Sequence, residues 1–367
     1  MTFTPGLALC EAFYREAVRP ILEQALPGLR YSAALIGPGS EVLGFDTEMS
    51  ADHHWGPRVM LFLGEDDLRA FSESLYVTLA ERLPLTFGGY PTNFSPPVEA
   101  NGVRLLQAVE RGPVAHRVET FSVTGFWQSY LGAQAWEEPG LLNWLTFEEH
   151  RLRAVTGGAV FWDGLPPGLG AARERRGYYP REVWLYLLAA QWAKIGQEEP
   201  FVGRTGSVGD ELGSAVIAGR LVNALMRLCF LMERQYAPYS KWFGTAFGRL
   251  VCAEEMTPPL RAALQAQTWA ERESALGAAL EGAARMHNRL GLTQPLAERV
   301  SPFHGRPFQV IHGEQFAEAL AAQISDPRVR ALPEYAGSVN QWVESVEVLD
   351  NVGLCARLKG LYGADGA

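Results

Sequence analysis

The residues best suited to chemistry lie between Leu35 and Leu63. A short apolar run, Tyr31 to Ile36, reads as a buried strand and enters Gly37-Pro38-Gly39-Ser40. Such a turn can offer backbone N–H groups and the Ser40 hydroxyl to a phosphate. Asp52 follows twelve positions after Ser40, just ahead of a second apolar run, Arg58 to Leu63. Phosphoryl and nucleotidyl transfer require a phosphate cradle opposite carboxylates that hold a divalent metal. If the Asp52 segment is extended, Asp52 and His54 share one face while His53 and Trp55 take the other. Two rival motifs fail. No Gly-Lys-Ser/Thr follows Gly39, and the spacing of Gly37, Gly39 and Gly44 does not fit a dinucleotide fingerprint.

These residues need elements to position them. Leu9, Phe13, Ala17 and Ile21 recur at helical spacing in the first 26 residues, with Pro20 placed to kink or divide the helix. A helix with Asp66 or Asp67 near its cap should follow Gly64, and Arg117 to Val123 is a further strand. Residues 86–102, rich in Gly, Pro, Asn and Ser, suggest a long surface loop. Helical signals dominate afterwards. Thr146 and Glu149 form a capping-box pattern, Pro180 suits a first turn before Val183–Ile195, and helices are expected over Asp210–Gln235 and Pro258–Leu290. The expected class is α+β: a small mixed sheet within residues 1–150, a helical domain over 151–290, and a C-terminal appendage, 291–367, packed on the rest.

Composition bounds the partners. The 367 residues carry 41 acidic and 32 basic side chains, a formal charge of −9, which disfavours coating extended nucleic acid. Ten Trp, 12 Tyr and 18 Phe argue for a packed core. The four cysteines, Cys10, Cys229, Cys252 and Cys355, form no ligand pair or disulfide framework. No signal-peptide pattern opens the chain, and its most apolar run, Val183–Ala193, is short for a membrane span, so a cytoplasmic protein without a membrane partner is expected.

The Gly39-Ser40 turn with Asp52 behind it resembles the signature of the polymerase-β-like nucleotidyltransferases, in which a Gly-Gly or Gly-Ser turn precedes an Asp-x-Asp pair. More closely, the chain is similar to a bacterial family of unknown function within that superfamily, through Gly39–Phe45, Asp52–Arg58, Tyr179–Leu187, Phe201–Leu212, Tyr236–Trp242 and Arg306–Val310. The resemblance implies a short mixed sheet with a helical domain behind it, as in aminoglycoside and lincosamide nucleotidyltransferases. It implies a phosphate cradle at Gly39 and Ser40 and metal ligation by Asp52. His54 stands where the second Asp is expected. An imidazole suits Mn²⁺ or Zn²⁺ better than Mg²⁺, so three readings stay open. The metal preference has shifted, Asp46 or Glu48 supplies the carboxylate, or nucleotide binding persists without catalysis.

The resemblance places a third acid on a later strand, where Glu119 is the best candidate and Glu110 a weaker one. It also implies that Lys241, with Tyr239 or Ser240, meets the triphosphate. Arg204, Asp210 and Glu211 read as a substrate-facing loop, with Asp210 equally able to cap a helix. Arg173, Arg175 and Arg176 suggest a solvated basic face. Trp162, Trp184, Trp192, Trp242 and Trp269 suggest core packing. The implied activity is metal-dependent transfer of a nucleoside monophosphate from a nucleoside triphosphate to a hydroxyl of a small molecule or protein, with Mg²⁺ or Mn²⁺ ahead of Zn²⁺ and a tRNA end still open as acceptor. The competing class is a nucleotide-binding regulator with a degenerate site. A hydrolase metal site at Asp52, His53 and His54 is a third reading.

Overall fold

The apolar runs at Tyr31–Leu35 (β1) and Arg58–Leu63 (β2) pair antiparallel at the centre of a four-stranded sheet, and every residue of both strands is buried. Burial on both faces explains why neither strand alternates polar with apolar residues. The computed structural model describes residues 3–52, 54–97 and 102–363, residues 51 and 52 by backbone alone. By its contacts the chain falls into two compact units: Met1–Glu138 with Arg151–Gly177, and Pro139–His150 with Tyr178–Ala367. The architecture is α+β, a small mixed sheet followed by helices.

In the first unit a two-residue ribbon, Thr86–Phe87 (β3) with Tyr90–Pro91 (β4), precedes Arg117–Ser122 (β5), which lies parallel to β2. Ala159–Asp163 (β6) closes the other edge, antiparallel to β1, so the sheet runs β5-β2-β1-β6. A boundary at 150 would strip the sheet of β6. The helix Glu65–Arg82 makes the crossover that two parallel strands require. Gly64 is its N-cap, with Asp66 and Asp67 inside the first turn, where their charge meets the positive end of the helix.

One face of the sheet, carrying Tyr31, Ala33, Leu35, Val59, Leu61, Leu63 and Val118, packs with Phe13, Val18, Leu22, Leu75 and Leu79 into one core. Alternation puts Arg58 and Met60 of β2 and Arg117 and Glu119 of β5 on the opposite face. The N-terminal helix is divided as Pro20 suggests: Gly6–Phe13, a wide π-type turn over Tyr14–Val18, then Arg19–Ala25. Pro20 cannot donate to the preceding turn, and the wide turn absorbs the lost bond.

Several expectations about this unit change. Part of the expected long loop is ordered by the ribbon, by a bridge between Phe94 and Leu106, and by burial of Thr92 and Phe94; residues 98–101 lie outside the description. The basic triplet is a solvated face only in part: Arg175 is exposed, but Arg173 and Arg176 turn inward. Arg176 is fully buried and donates to the carbonyls of Gln134, Ala135, Ala172 and Glu137, while Arg173 does the same to Val155, Thr156 and Gly157. A guanidinium has five donors and can satisfy loop carbonyls that no helix or strand pairs. Trp162 is 44% exposed under the Arg19 guanidinium.

In the second unit the helix Arg181–Glu198 is buried almost all round, packed by Glu211–Met232 and by Gly313–Ala321. The segment after residue 290 is therefore part of this unit. Its start is tied by Glu199, whose carboxylate accepts the N–H groups of Ile311 (2.6 Å) and Gly313 (3.0 Å), and burial pushes that carboxyl up to about 7.

Thr146 ends the helix Leu141–Thr146 and donates to Leu142, so it is not a cap; Asn340 Oδ1 accepts from Glu149 N instead (3.0 Å). A capping box occurs at Thr268 and Glu271, splitting the expected Pro258–Leu290 helix into Ala253–Gln265 and Trp269–Leu290. Phe201–Gly206 is a short helix rather than a loop. Glu211–Met232, not Val183–Ala193, is the helix long and apolar enough to cross a membrane by length and composition, and 56% of its most apolar window is buried inside the protein.

Candidate functional site

The turn after β1 is held by a buried ion pair. Arg58 Nε donates to Glu41 Oε1 at 2.8 Å and Arg58 Nη2 donates to the Pro38 carbonyl at 2.6 Å, with side chains 5% and 2% exposed. Gly39 sits between these groups at φ 138, a conformation that favours glycine, and a Cβ there would run into Arg58 Nη2. Ser40 accepts the Phe45 N–H at 2.9 Å, closing the turn. Among the described residues the N–H groups of Gly39 and Ser40 and the Ser40 hydroxyl have no hydrogen-bond partner. The turn is thus rigid, partly exposed and rich in uncommitted donors, which suits an anion.

Asp52 is not on a strand. It ends the 3-10 turn Glu48–Asp52, and His53 lies outside the described residues. His54 has φ 53, and its N–H donates to the Arg104 carbonyl at 3.0 Å, so the alternation expected of an extended Asp52–Trp55 does not apply. Asp46 is committed elsewhere: its Oδ2 accepts from Gly6 N (2.6 Å) and Trp55 Nε1 (3.0 Å), anchoring the first helix.

Arg117 organises the exposed part of the sheet face. Its Nη1 lies 2.8 Å from His54 Nδ1 and its Nη2 lies 3.2 Å from both oxygens of Glu119. A guanidinium only donates, so His54 Nδ1 accepts and the neutral ring carries its proton on Nε2. A metal at either ring nitrogen would require breaking that bond or reversing the tautomer. Glu119 fits a cation better. It is a hard oxygen donor, 43% exposed, and a carboxylate has about four lone-pair sites, so the Arg117 contacts do not exhaust it. Among the described residues no group of three His, Cys, Asp or Glu side chains converges on one point. Burial holds the Arg117 guanidinium below its ordinary value, and the charges of Arg58 and Arg104 add to that. Across this face the charges largely offset one another, Arg58 with Glu41 and Arg117 with Glu119.

In the second unit Tyr239 is the N-cap of the helix Ser240–Phe247, which Ser240 and Lys241 open. Lys241 is exposed, its ammonium 5.1 Å from the Trp242 ring centre. Arg204 is exposed on its short helix. Asp210 takes the capping role, its Oδ1 accepting Gly213 N at 2.7 Å, and Glu211 is paired with Arg272 at 2.5 Å. Both carboxylates thus serve the local structure. Sequence reasoning missed Glu41, Arg58 and Arg117 as site-building groups. The signal available for Arg58 was a charge opening an otherwise apolar strand.

Residues 144–243 match the family described as a domain of unknown function (DUF4037). The matched stretch begins after Glu119 and holds Arg204, Tyr239, Ser240 and Lys241, while Gly39, Ser40, Asp52 and His54 lie outside it. No curated protein and no solved structure matches the chain.

Proposed function

We propose that the sheet unit binds a nucleoside triphosphate and passes its nucleoside monophosphate to a hydroxyl of a small molecule or protein. The observation that supports this reading is the Gly39–Ser40 turn, whose N–H groups are uncommitted, with Arg117 and a carboxylate, Glu119, on the strand beside β2. In this reading Gly39 and Ser40 take phosphate oxygens, Arg58 keeps the turn in shape, and Arg117 neutralises phosphate charge. His54 holds Arg117 in place. Asp52 and Glu119 would hold a divalent cation, Mg²⁺ or Mn²⁺, which supplies charge neutralisation of the triphosphate when bound.

A second reading, nucleotide binding without transfer, is favoured by the Arg117–His54 contact. It sets an N–H tautomer where the resemblance places a metal-binding carboxylate. Labelled ATP, GTP, CTP and UTP, each offered with Mg²⁺ or Mn²⁺, separate the two. Pyrophosphate release that disappears in Asp52→Ala supports transfer. Saturable binding without turnover under either metal supports the regulator, and no binding at all removes both.

A further inference from the structure

A cavity of about 350 Å³ opens within the helical unit, formed by four separated stretches of chain around Glu149, Asn223, Arg227, Tyr239, Ser240 and Phe243. Its polar end is a loosely made ion pair. Arg227 Nη1 stands 3.8 Å from Glu149 Oε2, too far for a hydrogen bond, although the side chains are only 19% and 11% exposed. Each group is held from one side, and Glu149 also accepts a backbone hydrogen bond from Ala237. Glu149 Oε1 accepts the Tyr179 hydroxyl at 3.2 Å, and Arg227 Nε donates to Asn223 Oδ1 at 3.2 Å. Among the described residues the two terminal Arg227 nitrogens donate no hydrogen bond, and neither does the Asn223 amide nitrogen. These nitrogens are half-buried at the cavity and donate to no protein group, so their capacity is open to a ligand there.

The lining also defines that ligand. Glu148, Glu149 and Glu344 face a single lining arginine, which opposes an anionic ligand. Arg227 projects into the same space, its guanidinium 5.3 Å from the Phe243 ring centre, which opposes a simple cation. A hydroxyl satisfies both ends, because it accepts from Arg227 while donating to Glu149. The Asn223 amide and the exposed Ser240 hydroxyl add bonds for neighbouring hydroxyls, and Phe243 offers an apolar wall for a ring's C–H face. Burial pushes the Glu149 carboxyl above the usual carboxylate range, consistent with a group that meets neutral partners. We propose that this cavity binds a neutral, ring-shaped polyol, a sugar or cyclitol, through the Glu149–Arg227 pair. The site lies wholly in the helical unit and goes beyond the nucleotide reading.

The test needs no nucleotide. Full-length protein is titrated calorimetrically with myo-inositol and glucose as neutral probes, glucosamine as the cationic probe and glucose 6-phosphate as the anionic one. Saturable binding of a neutral probe, weakened at least about tenfold by Glu149→Gln and by Ser240→Tyr, is the expected result. Ser240 is exposed at a helix start, so its variant keeps the fold if Glu149→Gln does not. No binding by either neutral probe, tighter binding of a charged one, or binding unaffected by Ser240→Tyr overturns the proposal. Nucleotide binding is measured separately, so failure here leaves the sheet-unit reading standing or falling by itself.

Discussion

Each unit buries one Glu–Arg pair beside its candidate site, and the two pairs are built differently. Glu41 and Arg58 meet at 2.8 Å with almost no exposure, and Arg58 also holds the Pro38 carbonyl. Glu149 and Arg227 stand 3.8 Å apart and border a cavity. A tight buried pair has spent its hydrogen-bonding capacity on the protein, and its product is shape: the conformation of Gly39. A loose pair keeps capacity in reserve for recognition. The same two residue types thus serve a scaffold in one unit and a binding surface in the other, and distance decides which.

The comparison breaks most severely at Arg58. Arg58→Met leaves Glu41 buried and unpaired, and should cost about 3–5 kcal/mol in chemical denaturation and abolish nucleotide binding. The double variant Glu41→Met/Arg58→Met should recover much of the stability without recovering nucleotide affinity. If affinity returns, the pair is not what shapes the turn. Gly39→Ala comes next, at about 1–3 kcal/mol, since it combines a left-handed φ with a clash against Arg58. Its nucleotide affinity should fall by at least about tenfold, and unchanged affinity would remove the turn from the phosphate site.

Glu149→Gln sharpens the other half. Burial raises the folded-state value of Glu149 above the ordinary 4.5, so its contribution is fullest below 4.5 and is lost as pH rises toward the folded-state value. Wild type should therefore lose stability relative to Glu149→Gln as pH climbs from about 4.5 to neutrality. Thermal melts across that range that run parallel for the two proteins would show that Glu149 is not shifted. The smallest effect belongs to Lys241→Ala. An exposed ammonium over one ring should change stability by less than about 0.5 kcal/mol, so any tenfold loss of triphosphate affinity reports phosphate contact directly.

Much of the sheet was legible because its two central strands, Tyr31–Leu35 and Arg58–Leu63, are short, largely apolar runs with glycine close by, and Arg117–Ser122 also falls where patterning puts it. Asp210 was legible as a cap for a local reason, its own helix starting one residue later. The Thr146 cap was not, because the acceptor for Glu149 N comes from Asn340, far along the chain. Arg173 and Arg176 read as solvated because charge alone does not disclose the carbonyls that the 134–137 loop and the helix end at 155–157 leave unpaired. The tautomer of His54 was not legible, because it depends on a guanidinium 63 residues away in sequence.

By itself the sequence determined the α+β class, the Gly-Ser turn between the first two strands, and the acid at Asp52, since periodicity, glycine placement and local capping act over a few residues. Only the tertiary structure decided that β6 completes the sheet from beyond residue 150, that Arg58 and Glu41 lock Gly39, and that Arg117 spans His54 and Glu119. It alone also placed Glu149 and Arg227 a little too far apart to bond. Those outcomes depend on distances between residues remote in sequence, and on which polar groups burial leaves to find partners. No local pattern encodes either.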